Sequence, residues 1–231
     1  MPHKVDHHAI LDRLAARRGG QRNAFVAVDP VRTAHLVIDM QNGFMEHGAP
    51  VEVPEARNIA GNINRISAAV RESGGLNVFV RFTTPEGEAP AWPVFMERLG
   101  ASAGKTHRAA FKPGAHYWQF WPALEIEDGD AVIDKVRFSA FSPGASGLEA
   151  LLRAHGIDTV IVTGTLTNCC CESTARDAMQ LNYRVLIAAD ANAALSDEEH
   201  AATLHIMAMV FADLYSVDEL VELIRAPALA G

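Results

Sequence analysis

The sequence predicts an α/β fold in which a parallel β-sheet lies between two layers of helices. Five short apolar runs of strand length alternate with longer stretches of helical periodicity. The strand-like runs are AHLVI at 34–38, LNVFV at 76–80, AVI at 131–133, TVIVT at 159–163 and RVLIA at 184–188. The helical stretches lie near 55–73, 146–155, 171–181 and 197–211. Strands that are apolar on both faces and separated by helices are typical of a parallel sheet covered on both sides, so we expect a three-layer domain.

The N-terminal segment is predicted to form a helix and an arm ahead of the sheet. Residues 6–18 place Ile10, Leu11 and Leu14 on one face of an amphipathic helix, which two glycines end. We therefore assign residues 1–31 to this helix and arm, and residues 32–231 to the sheet domain. Because the apolar face needs a partner surface, we expect a homo-oligomer, a dimer or a tetramer, unless the arm packs on its own domain.

The longest stretch without a regular pattern is 83–130, which is rich in proline, glycine and aromatic residues. A loop of this length in a compact domain is usually functional. Towards its end, a cluster of aromatic side chains spans His116 to Trp121 and includes Trp118. Two interpretations are open: the cluster packs in the core or a subunit interface, or it walls a substrate pocket.

Composition and charge exclude several classes of partner. The 231 residues carry a net charge of −8, which argues against nucleic acid or an anionic membrane as the partner. No apolar run has the length to cross a bilayer, and the N-terminus lacks the apolar core of a secretion signal, so we expect a cytoplasmic protein.

The cysteines and histidines do not predict a metal site. The three cysteines are adjacent, at 169–171, which suits neither a disulfide framework nor C-x-x-C zinc ligation. The ten histidines are scattered without the spacing of metal ligands, and no glycine-rich nucleotide motif is present. We expect no metal and no other cofactor.

Three predicted strands end at residues that can do chemistry. Asp39 follows the first strand, Lys135 follows the third, and the cysteines follow the fourth. Alone, a strand-end aspartate usually caps a turn, a lysine is usually solvated and a cysteine is usually buried. Ligands of open parallel sheets bind at the carboxyl edge of the strands. A base, a cation and a nucleophile at that edge match the requirements of covalent catalysis.

The spacing of the cysteines narrows the choice of nucleophile. Cys171 shares the helical phase of the apolar residues that follow, so we expect it to face the core. Cys169 and Cys170 lie off that face, and spacing does not separate them. Thr167 or Asn168 is expected to cap the helix, which places the thiols in the positive field of its N-terminus. This field and a nearby ammonium are expected to lower the thiol pKa.

Three segments resemble the isochorismatase-like cysteine hydrolase superfamily, over roughly residues 32–220. They are VIDMQNGF at 37–44, VIDKVRFSAF at 132–141 and VTGTLTNCCCESTARDAMQLNYRVLIAADANAA at 162–194. The resemblance implies a Rossmann-like sheet, and its T-G-x-x-T-x-x-C motif makes Cys170 the nucleophile. It also implies that Asp39 is the general acid and base, with Lys135 as the cation between them. The backbone N–H groups of Leu166 and Cys170 are then expected to form an oxyanion hole, with a cis peptide bond entering Leu166.

Five residues are further candidates for substrate contact. Gln41 and Asn42 follow Asp39 and either form its turn or contact the substrate. Trp118 belongs to the aromatic cluster, and Phe141 and Asn168 lie in the segments that carry the resemblance.

The resemblance also bears on the substrate class. True isochorismatases lack the cysteine, so Cys170 argues against vinyl-ether hydrolysis. Nicotinamidases carry an Asp/His metal site after the second strand, where this sequence has RFTTPEGEAP. The run TNCCCESTARDA is most similar to ureidoacrylate amidohydrolases and N-carbamoyl amidases, which favours a small amide, ureido or carbamoyl substrate. A non-catalytic binding protein and a redox-sensing thiol protein remain as alternative classes.

Overall fold

Six parallel strands form the sheet at the centre of the fold. A computed structural model describes residues 3–85, 87 and 92–226. In this part of the chain the strands are β1 (Thr33–Ile38), β2 (Leu76–Phe82), β3 (Ala131–Lys135), β4 (Thr159–Thr165), β5 (Arg184–Ala193) and β6 (Asp213–Tyr215). They pair in the order β3-β2-β1-β4-β5-β6, with every pair parallel. The predicted parallel α/β fold is confirmed.

The strand order reverses direction between β1 and β4. These two strands are neighbours, and Ile38 at the end of β1 lies opposite Gly164 near the end of β4. The chain leaves one strand towards β2 and the other towards β5, and open parallel sheets bind their ligands beyond the carboxyl ends of such a pair. Asp39 and the cysteines follow these two strands directly.

Helices cover both faces of the sheet, as the sequence predicts. The described helices are α1 (His7–Ala15), α2 (Asn42–Met45), α3 (Ala60–Glu72), α4 (Pro93–Leu99), α5 (Ala101–Ala110), α6 (Leu148–Ala154), α7 (Glu172–Gln180), α8 (Asp197–Ile206) and α9 (Val217–Arg225). Helices α1, α6, α7 and α8 bury their apolar side chains on one face, and α3, α5 and α9 bury theirs on the other. Strand β1 contributes to both layers, because Leu36 and Ile38 face the first and Val37 the second.

The expectation of an irregular stretch over 83–130 is wrong. Helices α4 and α5 lie within it, and a 3₁₀ turn covers His116–Trp118. Hydrophobic periodicity missed α5 because this helix buries only small side chains and His107 on its inner face. Strand β6, with three residues, was too short to predict. Helix α9 carries a signal that was overlooked, the capping box of Ser216 and Glu219.

The N-terminal helix packs on its own domain. Ile10, Leu11 and Leu14 are buried, as the helical phase predicts, in the same cluster as β1 and β4. The apolar face of α1 is therefore covered within the chain, which removes this physical reason to expect an oligomer. Oligomerisation and the division at residue 31 stay predictions.

Helices of membrane-spanning length and apolarity are absent from the described residues.

Candidate active site

The three residues predicted to be catalytic meet at the carboxyl edge of the sheet, near the ends of β1 and β4. The Nζ atom of Lys135 lies 2.7 Å from Oδ2 of Asp39. The Cys170 thiol is close enough to both side chains to influence their pKa values. Asp39 and Lys135 are fully buried, and only 4% of Cys170 is exposed. A carboxylate, an ammonium and a thiol are thus held together away from solvent.

The backbone after β1 holds Asp39 in place. Its N–H donates to the carbonyl of Val80 on β2, at 2.9 Å, so the residue continues the sheet by one hydrogen bond. Its φ of +52° lies in the left-handed region, which aspartate tolerates better than most residues. Here the chain turns out of the sheet, and the turn presents the carboxylate at the strand end.

Lys135 reaches the site from two strands away. It is the last residue of β3, and β2 separates β3 from β1. Its four-carbon stem crosses the end of β2, where Nζ lies 5.1 Å from the ring centre of Phe82. Nζ also donates to the carbonyl of Arg137, at 3.0 Å. These contacts fix the ammonium between the carboxylate and the thiol.

The cysteines lie on a short π-helical turn, not in the first turn of an α-helix. The peptide bond between Thr165 and Leu166 is cis, as the resemblance implies. The turn covers Thr167–Cys171 and leads into α7. The carbonyl of Leu166 accepts from the N–H groups of Cys169 and Cys171, at 3.1 and 3.2 Å. The intervening N–H, that of Cys170, is one of the two predicted oxyanion donors.

The expectation that Thr167 or Asn168 caps the helix is wrong. Leu166 precedes the turn without a side-chain cap. The Thr167 hydroxyl lies instead 2.9 Å from Nδ1 of His200 on α8. Asn168 is exposed. The cis bond and the π-turn reorient the chain here, so local capping rules did not predict its path.

Gly164 allows β4 to approach β1 beside the catalytic aspartate. Its φ is +116°, and a Cβ atom at this position would lie 2.1 Å from the carbonyl oxygen of Ile38. Such a contact is well inside van der Waals distance, so only glycine fits. The sequence motif T-G at 163–164 thus has a steric reason in the packing of the two strands.

Burial dominates the electrostatics of the site. Burial raises the pKa of the Asp39 carboxyl, although the Lys135 ammonium opposes this. Burial alone lowers the pKa of Lys135, but the charges of Asp39 and Cys170 outweigh it, and the pKa is raised. Asp39 is therefore a stronger base than an exposed aspartate, and the Lys135 ammonium beside it is held in its charged form.

The expectation of a lowered pKa for the nucleophilic thiol is wrong. The hydrogen bond with Cys169 and burial raise the pKa of Cys170, and the opposing effect of Lys135 is smaller. The pKa of the half-buried Cys169 is lowered because Cys170 hydrogen-bonds to it. Cys171 is buried against the core, as the helical phase predicts, and burial raises its pKa. A buried thiol beside a basic carboxylate suits proton removal during the reaction rather than a standing thiolate.

Gln41 and Asn42 hold the backbone around Asp39. The Gln41 amide donates to the carbonyls of Phe82 and Trp118, both at 2.9 Å, and accepts from the Phe82 N–H at 2.8 Å. Asn42 donates to the carbonyl of His116, at 3.0 Å. Contacts of this kind agree with the first of the two expectations for Gln41 and Asn42, that they form the turn after Asp39. Contact of either with substrate stays a prediction.

The other three candidates for substrate contact lie in different environments. Trp118 donates to the Thr83 hydroxyl at 2.8 Å, and the Arg81 guanidinium covers its ring at 3.4 Å. Phe141 packs in the core with its ring 5.6 Å from that of Tyr183. Asn168 is exposed. Their role in substrate binding also stays a prediction.

A second aromatic cluster, which the sequence did not single out, leads outward from Lys135. It begins at Phe82 and continues through His107 and Phe95 to Trp92 and Phe138, with neighbouring ring centres 4.7–5.3 Å apart. Phe82 ends a strand and Phe138 lies in the motif VIDKVRFSAF, which are signals that could have been used. The other members lie in α4 and α5 or, for Trp92, immediately before α4, and no sequence pattern connects them to the site.

Comparison with known proteins identifies the family. The family model described as "Isochorismatase domain" matches residues 33–219. The chain belongs to the isochorismatase family. Ureidoacrylate amidohydrolase RutB of Pseudomonas savastanoi pv. phaseolicola, a relative, is 30% identical over 212 residues, which cover 82% of each chain.

Solved structures of isochorismatase-like hydrolases share the fold. A cysteine hydrolase from Pseudomonas syringae pv. phaseolicola superposes with a TM-score of 0.76 at 26% identity, over 85% of this chain and 94% of that one. N-carbamoylsarcosine amidase from Thermoplasma acidophilum superposes with a TM-score of 0.66 at 26% identity, over 81% and 97%. The predicted family and fold are both confirmed.

Proposed function

We propose that this isochorismatase-family hydrolase cleaves a C–N bond of a small amide, ureido or N-carbamoyl compound through a thioester on Cys170. The observation that carries the proposal is the sealed contact of the Cys170 thiol with Asp39 and Lys135. A nucleophile with a base and a cation in direct contact is the arrangement that covalent hydrolysis of an amide requires.

Asp39 moves the proton in both halves of the reaction. It takes the proton of the Cys170 thiol as the sulfur attacks the carbonyl carbon, and it returns this proton to the leaving nitrogen. It then takes a proton from the water that hydrolyses the thioester and returns it to the Cys170 sulfur as the C–S bond breaks. Its raised pKa makes the Asp39 carboxylate a stronger base than an exposed aspartate, which favours uptake of the proton from the thiol. Lys135 stabilises the negative charge that passes between carboxylate and sulfur.

The N–H groups of Leu166 and Cys170 are the proposed donors to the oxyanion of each tetrahedral intermediate. Leu166 immediately precedes the turn that carries the nucleophile and Cys170 lies within it, so both donors are close in sequence to the sulfur. Removing one oxyanion donor typically costs about 3–4 kcal/mol of transition-state stabilisation. Because these donors are backbone groups, their identity does not depend on the side chain of Leu166.

The activities named for two similar proteins support a ureido or carbamoyl substrate. One acts on ureidoacrylate and the other is an N-carbamoylsarcosine amidase. Both names describe small compounds with a carbonyl bonded to nitrogen on each side. We propose that the aromatic cluster from Phe82 to Phe138 walls the pocket for the rest of such a substrate, with Trp118, Phe141 and Asn168 as further candidates.

Two properties of Cys170 speak against a redox-sensing role. Sensor cysteines are accessible and have a low pKa, whereas Cys170 is 4% exposed and its pKa is raised. A scaffold protein without catalysis would have no need of the buried pair of Asp39 and Lys135, which costs desolvation energy. We further propose that the protein acts in the cytoplasm on a small molecule, as a homo-oligomer and with no metal in its catalytic mechanism.

The test is a substrate panel with matched cysteine variants. Ureidoacrylate, N-carbamoylsarcosine, other carbamoyl amino acids and nicotinamide are incubated with the purified chain in the presence of a chelator, and ammonia release is measured. We expect turnover of at least one ureido or carbamoyl compound. Cys170→Ser and Asp39→Asn should abolish turnover, and Cys169→Ser should retain most of it.

Two outcomes contradict the proposal. If Cys170→Ser turns over substrate near the rate of the unmodified chain, the reaction does not pass through a thioester on Cys170. If a chelator abolishes turnover and one divalent ion restores it, catalysis requires a metal ion. Intact-mass measurement during turnover adds a direct check, because an acylated chain should appear with the unmodified protein and with Cys169→Ser.

A further inference from the structure

Two helix N-termini bring a pair of histidines and a carboxylate together, away from the candidate active site. His7 and His8 are the first two residues of α1, and Glu219 is the third residue of α9. Helix α9 follows β6, the edge strand opposite β3. The two segments are separated by more than two hundred residues of sequence, so no local spacing predicts the cluster.

The cluster holds one long hydrogen bond, and its separations are near those between the ligands of one metal ion. Nε2 of His7 lies 3.5 Å from Oε2 of Glu219, and Nε2 of His8 lies 3.9 Å from Oε1. Hydrogen bonds of this type have N···O distances of about 2.9 Å. Zinc binds nitrogen and oxygen at about 2.0–2.2 Å, which places neighbouring ligand atoms of a tetrahedral site about 3.3–3.6 Å apart. One potential ligand atom from each of the three side chains lies within 4.8 Å of the others.

The carboxylate has an oxygen available for a ligand. Oε2 of Glu219 closes the capping box of α9, accepting from the N–H of Ser216 at 2.7 Å and from its hydroxyl at 3.0 Å. These bonds fix the position of the carboxylate and direct Oε1 towards His8. Ligand atoms held in place before binding lose less conformational entropy when an ion arrives.

We propose that His7, His8 and Glu219 form a binding site for a divalent transition-metal ion of the zinc type, which ties α1 to α9. Two imidazoles and one carboxylate form a donor set that zinc takes in proteins, with water in the fourth position. The side chains are 11%, 45% and 40% exposed, respectively, so an ion can enter from solvent and leave again. The site lies outside the proposed catalytic machinery, and its ion would act on stability rather than on amide cleavage.

The test is Zn²⁺ titration of the full chain without an affinity tag, followed by thermal unfolding and equilibrium dialysis. We expect one ion per chain at this site. At free Zn²⁺ about a hundredfold above the dissociation constant, the melting temperature should rise by roughly 5–10 °C. Co²⁺ should give the visible spectrum of nitrogen and oxygen ligation, without the intense near-ultraviolet band of thiolate ligation.

Matched variants assign the ion to the cluster. His8→Ala removes one ligand from a partly exposed side chain, and Glu219→Gln removes the charge but keeps a residue that the capping box accepts. Both should weaken binding at least tenfold and lose most of the rise in melting temperature. His47→Ala is the control. His47 lies 3.4 Å from Glu52 in an exposed pair, and among the described residues no third potential ligand joins this pair.

The proposal is overturned by any of three results. The unmodified chain shows no rise in melting temperature, the two variants respond as the unmodified chain does, or Co²⁺ shows thiolate ligation. The last result would assign the ion to the cysteines at 169–171.

Discussion

The hydroxyl of Thr167 is expected to hold the nucleophile turn through a hydrogen bond whose direction the structure determines. Nε2 of His200 lies 3.0 Å from the carbonyl oxygen of Ala189, and Nδ1 lies 2.9 Å from the Thr167 hydroxyl. A carbonyl only accepts, so Nε2 carries the proton and Nδ1 accepts from the hydroxyl. Burial lowers the pKa of His200 to about 4, so the neutral ring persists at pH 7.

Thr167→Val removes this hydrogen bond while conserving the shape of the side chain. Nδ1 of His200 then loses its donor inside the protein, where His200 is 1% and Thr167 2% exposed. An unsatisfied buried acceptor costs about 1–3 kcal/mol, so we expect the free energy of unfolding to fall by about 2 kcal/mol. Thr167 lies between the two proposed oxyanion donors, so a looser turn should also lower kcat about tenfold with little change in KM.

Urea unfolding measures the first effect. The rate at which iodoacetamide alkylates Cys170, followed by mass spectrometry, reports whether the turn has loosened and needs no substrate. Thr167→Ser is the control, because it keeps the hydroxyl and loses one methyl group. It should cost about 1 kcal/mol and leave the alkylation rate unchanged. The reasoning is refuted if Thr167→Val unfolds at the urea midpoint of the unmodified chain and its Cys170 reacts at the same rate.

Three other perturbations have expected outcomes. Gly164→Ala should lower the free energy of unfolding by at least about 3 kcal/mol in urea, because its Cβ would lie 2.1 Å from the β1 carbonyl oxygen; wild-type stability would disprove this clash. Lys135→Met should lower the free energy of unfolding by about 3–5 kcal/mol at pH 8, because it leaves the buried Asp39 unpaired. Adding Asp39→Asn to this variant should recover most of the loss. A double variant as unstable as the single one would argue against the unpaired charge as the cause. Burial lowers the pKa of His35 to about 3 and that of His200 to about 4, so the unfolded chain binds more protons below pH 6.5. The contribution of each neutral histidine to the free energy of unfolding is fully present above pH 6.5 and should fall by about 3 kcal/mol by pH 4. A flat profile of unfolding free energy between pH 7 and 4.5 would contradict this.

The sequence by itself determined the strands, their parallel pairing and the residues at their ends. Apolar runs and helical periodicity are local properties, and five of the six described strands follow from them. Asp39 and Lys135 were found because parallel strands end at one edge. The phase of Cys171 is equally local, and this residue is buried as expected. The motif at 162–194 indicates which cysteine is the nucleophile and predicts the cis peptide bond, and hydrophobic periodicity carries neither signal.

Only the tertiary structure decided the electrostatics and the partners of the polar side chains. The thiol pKa was expected to fall because a helix N-terminus and an ammonium are visible in the sequence, whereas burial by distant segments is not. The Gln41 amide bonds to the backbone of residues 82 and 118, and Thr167 to a histidine on α8, for the same reason. The cluster of His7, His8 and Glu219 joins two ends of the chain. Desolvation and hydrogen bonding depend on which atoms surround a group in space, and long-range packing sets those neighbours.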